Sequence, residues 1–254
     1  MRGMTGVCLG LALTACVTTS NAPQRSGFGS VQAAASYNVQ LGIAYMQQGN
    51  LAVAKEKLER AAQENGSDPN VHSALALLYE RLGDPAEADR QFRTALRLAP
   101  QNPEISNNYA VYLCRANRVD EGVRRLLSVA KNPLYRTPEA AYTNAAVCLR
   151  SVHRDDEAER SLATALQIRP NFAEAAYQLA DLDMQRGRLA AARTRVDAFV
   201  GRYSATPEML LLGVRVARAQ GDRLAAEQYA RRLRVDFPDS EQTRSLAASG
   251  ANSG

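Results

Sequence analysis

Apolar positions along this chain recur with a helical period, and residues 69–103 show the pattern most regularly. Leu75, Ala76 and Tyr79 stand at i, i+1 and i+4. Ala88, Phe92, Ala95 and Leu96 stand at i, i+4, i+7 and i+8. Neither run alternates as a strand would, so both read as amphipathic helices. Gly83 between them suits the end of a helix. Asp84-Pro85 suits the start of the next, as N-cap and first helical residue. The spacing predicts a helix hairpin about 34 residues long.

The same hairpin recurs along the chain. Leu41, Leu75, Tyr109, Ala145, Leu179 and Gly213 fall in one column, separated by 34, 34, 36, 34 and 34 residues. The next column, Gly42, Ala76, Ala110, Ala146, Ala180 and Val214, is compact throughout. A turn column holds Gly49, Gly83, Asn117, His153, Gly187 and Gly221. A second-helix column holds Ala54, Ala88, Gly122, Ala158, Ala192 and Ala226. Small residues let helices approach closely, and large ones fill the gaps. A single hairpin cannot bury its apolar face, so six in series form one continuous core. The pattern resembles tetratricopeptide repeats. That resemblance implies an all-α, right-handed superhelical solenoid of six hairpins, at residues 35–68, 69–102, 103–138, 139–172, 173–206 and 207–240. Asp183 and Gly213 depart from it, standing where large apolar residues are usual. The one 36-residue interval predicts a longer exit loop at residues 131–138. A short capping helix is expected at 241–248 and disorder from 249 to 254.

The N-terminus follows a different pattern. After Arg2, residues 7–15 are apolar, too short to span a bilayer but suited to a signal-peptide core. Leu13-Thr14-Ala15-Cys16 resembles the lipobox of bacterial lipoproteins. The resemblance implies cleavage of residues 1–15 and lipidation of Cys16. The alternative is an ordinary secretory signal that happens to end in Cys. Val17 stands where Asp would signal inner-membrane retention, so the implied destination is the outer membrane, facing the periplasm. Several acyl chains together make a stable anchor. Residues 16–34 then read as the lipidated Cys and a flexible tether, polar at first and without periodicity.

Composition narrows the function. The chain has 254 residues, 46% hydrophobic, with 31 basic and 26 acidic residues and a net charge of +5. This excess is spread along the chain, with no dense basic cluster interleaved with aromatics, which argues against nucleic acid as a partner. There are two histidines, His72 and His153, and no Cys/His/carboxylate cluster at metal spacing. No phosphate-binding loop, dinucleotide fingerprint or nucleophile elbow is present. The expectation is therefore a non-enzyme, without cofactor, metal or small-molecule substrate.

Two features remain as candidates. Cys114 and Cys148 lie in the first helices of repeats three and four, which should pack side by side. In an oxidising periplasm they fit a disulfide. The alternative is a pair of buried free thiols, because Cys is common in cores. The second feature is a groove along the first helices. One of its columns reads Ile43, Leu77, Val111, Val147, Asp181 and Arg215, apolar through four repeats and then charged. Val39 and Met46 flank Ile43, and Tyr177 and Met184 lie in repeat five. An apolar N-terminal groove suits an amphipathic or extended partner segment. The alternative is that the array covers these residues itself.

The lipobox Cys, the short tether, six repeats, and the runs Asn107-Asn108-Tyr109…Leu113-Cys114 and Asn144-Ala145-Ala146-Val147-Cys148 together resemble the PilF/PilW family of type IV pilus biogenesis and stability lipoproteins. The resemblance covers nearly the whole chain. It implies a pilotin: a monomeric outer-membrane lipoprotein that binds the secretin subunit, accompanies it to the outer membrane and promotes its multimerisation. In that scheme Cys16 is the anchor and Cys114 with Cys148 the structural bridge. The first-repeat residues Val39, Ile43 and Met46 are then the expected secretin contact. A generic repeat scaffold for another envelope machine, such as polysaccharide export, is the alternative.

Overall fold

The computed structural model describes residues 27–251, and every element among them is helical. The expected signal peptide at residues 1–15, Cys16 and residues 17–26 of the expected tether lie outside the described residues, as do residues 252–254. Six hairpins follow one another: α1 (Gly27–Gln47) with α2 (Leu51–Glu64), α3 (Pro69–Arg81) with α4 (Pro85–Leu98), and α5 (Pro103–Arg115) with α6 (Val119–Ala130). Then come α7 (Pro138–Arg150) with α8 (Asp155–Ile168), α9 (Ala173–Gln185) with α10 (Leu189–Arg202), and α11 (Pro207–Ala219) with α12 (Arg223–Asp236). A last helix, α13 (Glu241–Ala251), packs on α11 and α12 and buries Leu246.

Helix α1 starts at Gly27, inside the stretch expected to be tether. Ala33, Ala34 and Ala35 favour helix, and Ala35 and Val39 are buried one turn apart. Likewise α13 continues past residue 248.

All six turn residues have positive φ. Gly49, Gly83, Gly187 and Gly221 lie between 72° and 77°, Asn117 at 61° and His153 at 59°. A left-handed residue closes each first helix and re-aims the chain into the second. Asp84 N, for example, donates 2.9 Å back to Tyr79 O. His153 therefore serves a backbone turn. The second helices then start in two ways. Asn50, Asp84 and Asp222 cap their helices with side-chain oxygens. Arg118, Arg154 and Arg188 occupy the same position without a side-chain cap. They reach back to Asp89 at 3.0 Å, Asp120 at 2.6 Å and Glu159 at 2.8 Å on the preceding second helix. Between the last two repeats the charges reverse, and Arg193 faces Asp222 at 3.4 Å.

The two departures from the repeat pattern are compensated locally. A Cβ added at Gly213 would lie 2.8 Å from the Tyr229 ring, so an aromatic from α12 fills the space left on α11. Asp183 is 1% exposed and held by Arg188 at the N-cap of α10, 2.7 Å away, and by Arg195 within α10, 2.6 Å away. In the long loop, Tyr135 tucks against Val129, Ala130 and Ala141 and pins the extra residues down.

Candidate partner-binding groove

The first helices pack on one another in series, α1 on α3, α3 on α5, and so on to α11. Each second helix packs on its own partner and on the first helix that follows, and neighbouring second helices reach each other through side chains, as Tyr229 of α12 does in donating to Asp197 of α10. The first helices are thus the inner layer of a curved array, and their free side forms the groove.

Along it, Ile43 is 37% and Val147 44% exposed, with Leu77 and Val111 half-buried between them. This apolar strip crosses four repeats. It lines two cavities. One of 530 Å³ lies at Ile43 and Leu77, with Arg81 and Arg115 on its rim. One of 180 Å³ lies at Val111 and Val147, with Asn144 beside them. Arg115 borders both and is held by Glu80 through two hydrogen bonds of 2.6 and 2.8 Å. The strip stops at a charged rung. Asp181 is buried, with Arg150 at 2.7 Å and Arg215 at 3.7 Å, and Gln185 donates to it at 2.8 Å. Burial first, and then the Asp181 carboxylate, pushes the neighbouring Tyr177 phenol above its ordinary value.

Two expected groove residues turn elsewhere. Val39 and Met46 are 8% and 4% exposed and belong to the first-repeat core with Leu58, Val71 and Leu75. Seven residues apart, they share one helix face, and that face points at α2 and α3. Ile43 lies off it, at the groove edge. Of the first-repeat contacts expected from sequence, only Ile43 is available to a partner, and Met46 adds one edge of the cavity beneath it. Tyr177 and Met184 are partly buried against the C-terminal core.

Cys114 and Cys148 form a disulfide between α5 and α7, with Cα atoms 5.6 Å apart, at the wall of the smaller cavity. Opposite stands Gly122 of α6. A Cβ there would lie 2.5 Å from Cys114 Sγ and 2.8 Å from Ala110 O. Every other repeat has Ala in this column. The glycine makes room for the sulfur, a signal present in the column but overlooked when sequence is read position by position.

His72 is engaged structurally: Nδ1 meets Gln91 Oε1 at 2.7 Å and Nε2 meets Gly66 O at 2.9 Å. Among the described residues no group of His, Cys, Asp and Glu could hold a metal ion, and no helix is long and apolar enough to cross a membrane. A further cavity of 590 Å³ lies off the groove, between α6 and the long loop, lined by polar groups that include Arg124 and Arg125.

Comparison with known proteins agrees with this architecture. Tetratricopeptide repeat models match residues 39–103, 73–141 and 153–212. The type IV pilus assembly protein PilF of Pseudomonas aeruginosa is 29% identical over 241 residues, covering 94% of this chain and 95% of that protein. A solved structure of P. aeruginosa PilF superposes with a TM-score of 0.64 at 28% identity, over 87% of this chain and 99% of that one. The crystal structure of PilW, a type IV pilus biogenesis factor, gives 0.66 at 29% identity, over 84% and 98%. Cellulose synthase 1 operon protein C of Komagataeibacter xylinus is 30% identical over 181 residues, which are 65% of this chain but 13% of that protein. The chain belongs to the tetratricopeptide repeat family, and along nearly its whole length it is similar to PilF and PilW.

Proposed function

We propose that this is a type IV pilus protein that acts as a pilotin, binding a secretin subunit in the groove of its first four repeats. The observation that carries the reading is the end-to-end similarity to PilF and PilW, covering 94% of this chain in the first case and 98% of the solved PilW chain in the second. The protein works by binding. Its apolar strip of Ile43, Leu77, Val111 and Val147 suits an amphipathic or extended segment, and the Arg150–Asp181–Arg215 rung ends the apolar section. Cys16 is the proposed lipid anchor, placing the array at the periplasmic face of the outer membrane. The disulfide stiffens the groove wall where the repeat spacing is irregular.

The test is co-purification from outer-membrane extract. The wild-type protein should retain the secretin, and Ile43→Glu with Val147→Glu should lose it while keeping the helical circular dichroism signal. Both side chains are exposed, so the charges do not enter the core. Absence of a secretin from the wild-type eluate in mild detergent would sink the reading. Incorporation of labelled palmitate, abolished by Cys16→Ser, tests the anchor. A second reading, a scaffold for polysaccharide export, draws on the Komagataeibacter similarity, but that match spans a small part of a much longer protein. Recovery of polysaccharide-synthesis components in place of a secretin would favour it.

A further inference from the structure

The repeats provide an internal standard for what each helix face is meant to touch. Four residues before the first core column stand Val71, Ile105, Ala141, Ala175 and Met209, each at most 2% exposed. Each lies on a first helix that packs against the second helix of the repeat before it. The equivalent residue of repeat one is Tyr37, and it is 62% exposed. The same holds further along the stripe. Leu75 and Leu78 of repeat two are buried, whereas their counterparts Leu41 and Ala44 on α1 are half-exposed. Repeat one thus carries an apolar stacking stripe on which no helix among the described residues is stacked.

The terminal repeat of a solenoid ordinarily turns a polar face outward. This one does the opposite. The 21 residues of α1 include no Asp, Glu, Lys or Arg, although each of the other helices carries charged side chains. The exposed positions of α1 mix Gln32, Ser36 and Gln40 with Val31, Tyr37 and Ile43, so the helix is uncharged throughout and carries an apolar stripe of the kind a neighbouring helix covers. At the other end of the array α13 supplies the cover and buries Leu246.

We propose that the outer face of α1, formed by Tyr37, Leu41 and Ala44, docks an amphipathic helix of a partner polypeptide. That helix takes the place that the preceding second helix holds in each later repeat. The choice of occupant follows from continuity with the existing interfaces. In all five later repeats the preceding second helix makes the larger part of this contact, ahead of the preceding first helix, and it brings an apolar stripe with small residues such as Ala61, Ala95 and Ala165. First helices also meet along the array, but always as the smaller part of the contact, so a pairing of α1 with α1 fits the stripe less well. A helix lying on anionic lipid would carry Lys or Arg on its polar face, and α1 has neither. The inference does not depend on the identity of the pilus partner.

The experiment uses the full chain carrying Cys16→Ser and a fluorescein-labelled peptide of residues 85–98, stapled on its solvent face to hold it helical. This is the outer helix α4, which packs on α5 through Phe92 against Tyr109 and Tyr112. Saturable binding is expected, weakened at least tenfold by Tyr37→Glu with Leu41→Glu and retained by Tyr37→Phe, with circular dichroism unchanged in all three. Absence of binding to the wild type, or equal binding to the double variant, overturns the proposal. So does a wild-type dimer in sedimentation that the double variant dissolves, which would make the face a self-interface. Binding to phosphatidylethanolamine–phosphatidylglycerol vesicles that the double variant loses would make it a lipid surface and overturn the proposal as well.

Discussion

Gly122 shows how much a single side chain can record about its neighbours. Its column is otherwise alanine, and the missing methyl group is where Cys114 Sγ sits. Restoring the methyl by Gly122→Ala should therefore overpack the junction and cost about 1–3 kcal/mol. The contact with Ala110 O at 2.8 Å belongs to the backbone and stays when the cysteines are removed. In a Cys114→Ala, Cys148→Ala background the cost should accordingly fall without vanishing. Urea unfolding of the four proteins measures this difference. An identical cost in both backgrounds would show that the sulfur is not what the glycine accommodates. The same logic limits what sequence can reveal. Gly213 is legible as a departure from its column. The Tyr229 ring that fills its place comes from another helix and another column, and no single alignment position displays that pairing.

At the scale of the element, helix positions and turns were legible because each turn demands a left-handed residue and each start favours a cap. The facing of side chains within α1 was less so. Val39, Ile43 and Met46 share a helical spacing, yet Val39 and Met46 are buried in the core and Ile43 is the exposed one, with Met46 reaching only the edge of the cavity beside it. The periodicity marks a face without saying which neighbour owns it. Hairpin five makes the complementary point. Asp183 stands where Leu113 and Leu149 stand in other repeats, and it ties α9 to α10 through Arg188 and Arg195. Removing one partner of a buried ion pair strands the other, whereas replacing the charge with a fitting apolar group is often neutral. Both arginines are about two-fifths exposed, and Arg188 also holds Glu159, so solvent and a second carboxylate soften the loss. Asp183→Ala should cost about 1–3 kcal/mol, and Asp183→Leu clearly less. Equal denaturation midpoints for the two variants would mean that the ion pair is worth more to this hairpin than a filled core.

For the whole molecule, the order of repeats matters because each touches only its neighbours. In such an array stability is a sum of local terms, and a staple acts where it is placed. The Cys114–Cys148 disulfide, between residues 34 apart in sequence, joins repeats three and four, the pair whose connecting loop breaks the 34-residue rhythm, at the opposite end of α7 from that loop. Closing a loop of that length restricts the unfolded chain by about 3–4 kcal/mol in the entropic account. In a single globular core that loss would be felt everywhere. Here it should be regional. Reduction, or Cys148→Ser, should speed amide hydrogen exchange most strongly in α5 to α8. Helices α1 and α2 at one end, and α11 and α12 at the other, should change least. Because Val111 and Val147 flank the bond, the same treatment should loosen the groove where the smaller cavity lies. Hydrogen exchange followed by mass spectrometry resolves the segments, with the oxidised protein as reference. A uniform rise along the chain would show that the array unfolds as one cooperative unit, and the disulfide would then be a global brace in place of a splint for one irregular joint.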